Sequence, residues 1–146
     1  MASTLGPTFH VLTDEQSRAI LERATVARLA FTVHDKVDIE PIHFVADGPW
    51  IYGRTSPGTK LAVLLHHPWC ALEVDEVHGV FDWSSVVMKG TFYLLDAMDS
   101  SGTYERAERL LAGLVPGTFT EHDPVPNRSI VFGIHVNEMT GRRARP

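Results

Sequence analysis

The stretch Gly53-Arg54-Thr55-Ser56-Pro57-Gly58-Thr59-Lys60 gathers the groups best suited to chemistry in this 146-residue chain. It sets two cations, three hydroxyls and a flexible glycine ahead of an apolar segment that reads as a helix. The first N–H groups of a helix have no partner inside it, and its dipole is positive at that end. With hydroxyl donors and the charges of Arg54 and Lys60 alongside, such a corner suits a phosphate. An ordinary polar strand-to-helix loop has much the same composition, so local chemistry leaves both readings open. A nucleotide P-loop is excluded. That motif needs Gly-Lys-Ser/Thr in succession, whereas Thr59 separates Gly58 from Lys60 and Leu61 replaces the magnesium-binding hydroxyl.

Two other segments mix apolar surface with a few polar groups, as a ligand pocket does: Pro41-Ile42-His43-Phe44 and Asp82-Trp83-Ser84-Ser85-Val86-Val87. Core packing is the competing role for Phe44, Val86 and Val87. Of the eight histidines, His66 and His67 are adjacent and diverge on a helix, and no His-Glu-x-x-His occurs, so no metal site is expected. The single cysteine, Cys70, rules out an internal disulfide and reads as a small buried hydrophobe between Trp69 and Ala71. Asp75, Glu76 and Asp82 read as solvated strand ends rather than paired catalytic carboxylates. No Gly-x-Ser-x-Gly elbow is present.

The elements that must position these groups follow from spacing. Thr13 and Gln16 form a capping-box pair ahead of a short helix over 14–24. Alternation then predicts a strand over 27–33, a turn at His34-Asp35-Lys36 and a second strand over 37–45. Asp47-Gly48 signals a hairpin before a strand at Trp50-Ile51-Tyr52. A helix over 61–67 stops before Pro68. Strands over 71–77 and 85–95 flank a turn region at 79–83, with Gly90 a possible bend or bulge. A helix over 100–115 ends at Pro116-Gly117, and a last strand covers 128–136. Six strands, mostly antiparallel, with helices between them, point to a mainly β protein with peripheral helices (α+β), a small closed or partly open barrel.

Length fits one domain over 1–146, with residues 1–12 as an arm and 139–146 as a tail. The net charge of −5 argues against nucleic acid as a partner, because backbone phosphates demand a basic face. Met1–His10 lacks a basic cluster followed by a long apolar run, and no stretch approaches a membrane span, so no membrane partner and a cytoplasmic protein are expected.

Taken together, Arg28-Leu29-Ala30-Phe31, Pro41-Ile42-His43-Phe44, Ile51-Tyr52-Gly53 through Leu61, Glu73-Val74-Asp75, Phe81-Asp82-Trp83-Ser84-Ser85-Val86 and Lys89-Gly90 resemble the pyridoxamine 5′-phosphate oxidase-like flavoproteins. The match runs over roughly residues 24–95. It implies a six-stranded antiparallel split β-barrel that forms a homodimer with FMN at the interface. It also implies that Arg54, Thr55, Ser56, Gly58, Thr59 and Lys60 hold the FMN phosphate. The backbone of Ile42, His43 and Phe44 would lie along the isoalloxazine, and Trp83, Ser85 and Val86 would complete the site. The Arg-x-His that the oxidase itself carries near its C-terminus is missing, since no histidine follows His135. The resemblance therefore implies an FMN-dependent oxidoreductase that passes electrons from a reduced nicotinamide to a small electrophile, with no catalytic side chain assigned. A deazaflavin (F420) reductase and a non-catalytic flavin- or haem-binding module are the alternatives.

Overall fold

The computed structural model describes residues 5–146. Its elements are β1 (Thr8–Val11), α1 (Asp14–Arg23), β2 (Val26–Val33), β3 (Lys36–His43), β4 (Val45–Asp47), β5 (Trp50–Thr55), α2 (Thr59–His66), β6 (Trp69–Gly79), β7 (Asp82–Leu94), α3 (Thr103–Leu114) and β8 (Ile130–Arg145). All strand pairs are antiparallel, in the order β3-β2-β6-β7-β8-β5-β4, with β1 added on β8. The sheet curls until β3 approaches β5.

The inward face of this sheet encloses the main core. Leu29, Phe31, Phe44, Ile51, Leu72, Val74, Val86, Met88, Phe132 and Ile134 meet there, and Ile20 and Leu21 of α1 and Leu64 of α2 insert into the same cluster. A second cluster lies under α3, where Ala107 and Leu111 pack on Tyr52 and Val131. The Thr13–Gln16 capping box starts α1 as expected: the Thr13 hydroxyl accepts from the Gln16 N–H, and the Gln16 side chain accepts from the Thr13 N–H.

The mainly β class holds, with eight strands rather than six. One added strand comes from the expected arm. Thr8–Val11 pairs with Arg142–Arg145, so the expected tail is likewise the far half of a 16-residue β8. Residues 1–4 of that arm lie outside the described residues. The Asn137-Glu138 and Arg142-Arg143 pairs broke the apolar pattern, but Arg142-Arg143 has backbone partners on both β1 and β7, and Glu138 pairs with Lys89 of β7 while Asn137 lies at the register shift. The second addition comes from splitting the strand expected over 37–45, because the chain turns at the buried Phe44 and restarts as β4. The turn expected over 79–83 shrinks to Val80-Phe81, which places Trp83 in β7.

Gly90 sits where the β7–β8 register shifts, so the expected bulge is present. A Cβ at this position would fall well inside van der Waals contact of the His135 carbonyl, which is backbone and cannot swing aside. Gly90→Ala is therefore expected to lose about 1–3 kcal/mol of stability, as overpacking does. Urea unfolding checks this, and an unchanged midpoint would mean that the bulge has slack.

Candidate functional site

Strand parity decides what the polar corner contains. On β5, Ile51 faces the main core, Gly53 abuts Phe132, and Thr55 is buried. Trp50, Tyr52 and Arg54 point to the opposite side, toward α3 and the 115–129 loop. Arg54 is thereby turned away from the groups expected to share its phosphate. Its Nη1 and Nη2 donate to Asp123 Oδ2 and Oδ1 at 2.6 and 2.9 Å, and its guanidinium lies 5.1 Å over the Phe119 ring. The two side chains are only 7% and 3% exposed. Asp123 also accepts from the N–H groups of Phe119 and Val125, so this ion pair ties the irregular 115–129 loop to β5. The sequence reading did not single out Asp123; the Asp-Pro step, with its Asx-type bond to Val125 two residues on, was the available signal.

What remains at the corner is the start of α2. Gly58 is its N-cap and makes no side-chain cap bond, and the first turn carries no acid. The backbone N–H groups of Thr59, Lys60 and Leu61 thus open the helix in the way that suits an anion. Thr59 is exposed and Ser56 half-buried, while the buried Thr55 hydroxyl donates only weakly, at 3.4 Å, to the Ser56 carbonyl. Lys60 Nζ lies 2.8 Å from Glu40 Oε2 on β3. The donor set thus fits a phosphate through N–H groups, hydroxyls and one cation, and that cation has a carboxylate competitor.

β3 is a sheet edge. The Phe44 N–H donates to Thr25 O, and Ile42 pairs with Ala27, so both residues turn their backbone toward β2. Residues of opposite parity face the open edge. There Pro41 has no N–H to waste, Ile39 N–H is taken by Asp38 Oδ1, and His43 presents its own N–H outward. Of the three residues expected along a flat ring, only His43 offers free backbone polarity; Ile42 and Phe44 offer buried apolar side chains.

Trp83, Ser85 and Val86 do not join this corner within one chain. Val86 is fully buried in the core. The Ser85 Oγ donates to Glu73 Oε2 at 3.0 Å on the outer sheet face, where Arg28 Nη1 also lies 3.4 Å from Glu73. Burial, with the Asp75 carboxylate beside it, pushes Glu73 above its ordinary value against the pull of Ser85 and Arg28. Trp83 lines a recess of about 400 Å³ with Phe9, His10, Val11, Arg142 and Arg143. Glu40 pairs through Leu29 with the level of Leu72, and Trp83 pairs with Val77. The two groups are therefore roughly 17 Å apart along the strands and roughly 14 Å across them.

Cys70 is buried, and its burial pushes the thiol up to about 12, which removes it as a nucleophile. Among the described residues no cluster of three or more His, Cys, Asp or Glu side chains could hold a metal ion. No helix among them is long and apolar enough to cross a membrane.

The Arg54 guanidinium, aided by two backbone N–H groups, holds the Asp123 carboxyl far below the usual carboxylate range. A depressed acid stabilises fully above its unfolded value of about 4, and that contribution is lost as pH falls toward the folded value. Urea midpoints of the wild type are thus expected to drop from about pH 4 downward. Asp123→Asn should be less stable at pH 7 and show a shallower acid limb. An acid limb that the substitution leaves unchanged would contradict this role.

The family model described as pyridoxamine 5′-phosphate oxidase matches residues 13–143. An uncharacterized protein of Rhizobium meliloti, RA0666, is 27% identical over 145 residues, covering 92% of this chain and 94% of its own. The crystal structure of an FAD-binding protein from Mesorhizobium loti superposes with a TM-score of 0.75 at 19% identity, covering 97% of this chain and all (100%) of that one. An FAD-binding protein from Mycobacterium smegmatis gives 0.69 at 22% identity, covering 93% and 100%. These two likenesses speak for a shared split-barrel fold, and the match over 13–143 decides the relationship: the chain belongs to the pyridoxamine 5′-phosphate oxidase family.

Proposed function

We propose that this protein is a flavin-dependent oxidoreductase that binds the flavin phosphate at the N-terminus of α2 and passes electrons from a reduced nicotinamide to a small electrophilic acceptor. One observation carries the reading. The helix begins uncapped and acid-free beside Lys60, Ser56 and Thr59, at the foot of an edge strand with an open backbone. Family membership supports a flavin, and FMN is the ligand whose phosphate matches this corner most simply.

When bound, the flavin supplies the redox chemistry, so a protein nucleophile is not required. The chain's own groups bind and orient. Backbone N–H groups of Thr59–Leu61 and the hydroxyls of Ser56 and Thr59 donate to the phosphate. Lys60 adds charge once it leaves Glu40. The His43 N–H faces the open edge of β3 as a donor to a ring carbonyl or nitrogen, and Ile42 and Phe44 hold that strand against the core. Arg54 acts on this site indirectly, by fixing the end of β5.

We also propose a homodimer. Trp83 and Ser85 lie too far from α2 in one chain to share a ligand with it, whereas a second copy packed on the outer sheet face can bring its own pair near. Ile39 and Val77 on that face are 61% and 65% exposed, and Val26 and Val87 stand on it as well. That is more apolar surface than a solvated sheet face usually carries.

Titration of apoprotein with FMN, followed by flavin fluorescence, tests the phosphate site. Lys60→Ala should weaken binding by about 1.5–3 kcal/mol, the usual size for a charge-assisted hydrogen bond. Glu40→Gln should tighten it, because the competing carboxylate is gone. Unchanged affinity in both variants would remove Lys60 from the site. Anaerobic bleaching by NADH or NADPH separates an enzyme from a carrier. Light scattering is expected to give twice the chain mass, and a monomer with flavin bound would contradict the proposed dimer.

A further inference from the structure

The pairing register divides the outer sheet face into three bands along the strands. At one end Val77, Trp83, Ala144 and Phe9 form a row across β6, β7, β8 and β1. The Phe81 ring, from the turn between β6 and β7, stands edge-on to Phe9 with centroids 6.4 Å apart. Phe81 is 46% exposed and Phe9 64%, so this end of the face is an apolar knob. Six residues back along β6, about 20 Å away, Ala71 pairs with Ala30. These two small side chains leave a dent of about 310 Å³, walled by Trp69, Val37 and Lys89. Between knob and dent lies a charged band. Arg28 reaches both Glu73 and Asp75, at 3.4 and 3.5 Å, while Arg142 lies opposite Ser85 and Lys89 opposite Glu138. Three cations thus meet three carboxylates, and the band can face a copy of itself without net charge.

We propose that the second copy packs on this face antiparallel, with the twofold axis crossing the strands at the level of Val74, so that the knob of each copy fills the dent of the other. The inference rests on the homodimer reading above and goes beyond it by assigning which surfaces meet. Two observations carry it. The first is shape. Rotation about the level of Val74 brings Val77 of the second copy over Ala71 and its Phe81 against Trp69, and symmetry repeats the contact in reverse. Side chains that protrude at one end thus meet small ones at the other. A parallel stack would set knob on knob and leave both dents open, which wastes apolar surface and packing. The second is the place of Trp83. Within one chain it lies far along the strands from Glu40, because it pairs with Val77 while Glu40 stands at the level of Leu72. Reversal takes Trp83 of the second copy to the level of Ala71, one residue from Glu40. The separation left runs across the strands, from α2 over the β3 edge toward β7. The same rotation that seats the knob therefore removes the larger part of the distance between Trp83 and the α2 corner.

Cross-linking of cysteine variants with a short bismaleimide tests the arrangement, and Cys70 stays silent because it is buried. Ala71→Cys and Val77→Cys chains, mixed and allowed to exchange subunits, are expected to give a covalent dimer of one with the other. Each variant alone should give little, since residue 71 of one copy stands about 20 Å along the strands from residue 71 of the other. A strong product from Ala71→Cys alone would overturn the antiparallel stack. Phe81→Asp, a substitution in an exposed turn, should raise the dimer dissociation constant about thirtyfold or more, the scale of a central interface anchor. Ala71→Arg, which blocks the dent, should do the same, with far-ultraviolet circular dichroism showing both variants folded. Unchanged dimers in both would place the interface elsewhere and overturn the arrangement while the homodimer stands. A wild-type monomer would overturn the homodimer itself, and this arrangement with it.

Discussion

The first turn of α2 has backbone N–H groups that its own sequence cannot satisfy. Gly58 has no side chain to cap them, and no acid stands in the turn to complement the dipole. A short helix left in this state relies on what surrounds it. Here the only fully buried side chain of α2 is Leu64, which pins the helix to the barrel core while its start stays open to solvent. The barrel thus fixes a positive, donor-rich point in space at little internal cost, and the edge strand β3 meets it through the Lys60–Glu40 pair.

The period of two along β5 divides the polar residues of that region into two jobs. Arg54 and Thr55 are neighbours in sequence but face opposite sides of the sheet. Arg54 is buried with Asp123 and holds a loop of irregular backbone in place. Removing either partner would strand a charge in a dry site, so the pair works as a clamp that neither half can leave. The anion corner is therefore built from neutral donors and a single lysine, and Glu40 guards that lysine until a stronger anion arrives.

Much of this was legible in the sequence. The capping box at Thr13, the bulge at Gly90, the three helices and the mainly β class all rest on local signals that the tertiary structure agrees with. The corner at Gly58–Lys60 was legible for the same reason, because loop, helix start and cation adjoin in the chain. The ends of the chain were not. Thr8–Val11 becomes a strand through Arg142–Arg145 at the other end of the chain, which β7 also holds from its far side, and no local period reports that. The destination of Arg54 was hidden too, since Asp123 lies 69 residues away and one residue of register decides which face a side chain takes. The separation of Trp83 from α2 is likewise a matter of sheet order rather than of motif spacing.

A structure determined with FMN or FAD bound tests the central claim most directly. The account predicts the flavin phosphate within hydrogen-bond distance of the Thr59, Lys60 and Leu61 N–H groups, with Lys60 drawn off Glu40 and the Arg54–Asp123 pair unbroken. A phosphate held instead by Arg54, or a bound flavin with the start of α2 left untouched, would contradict it.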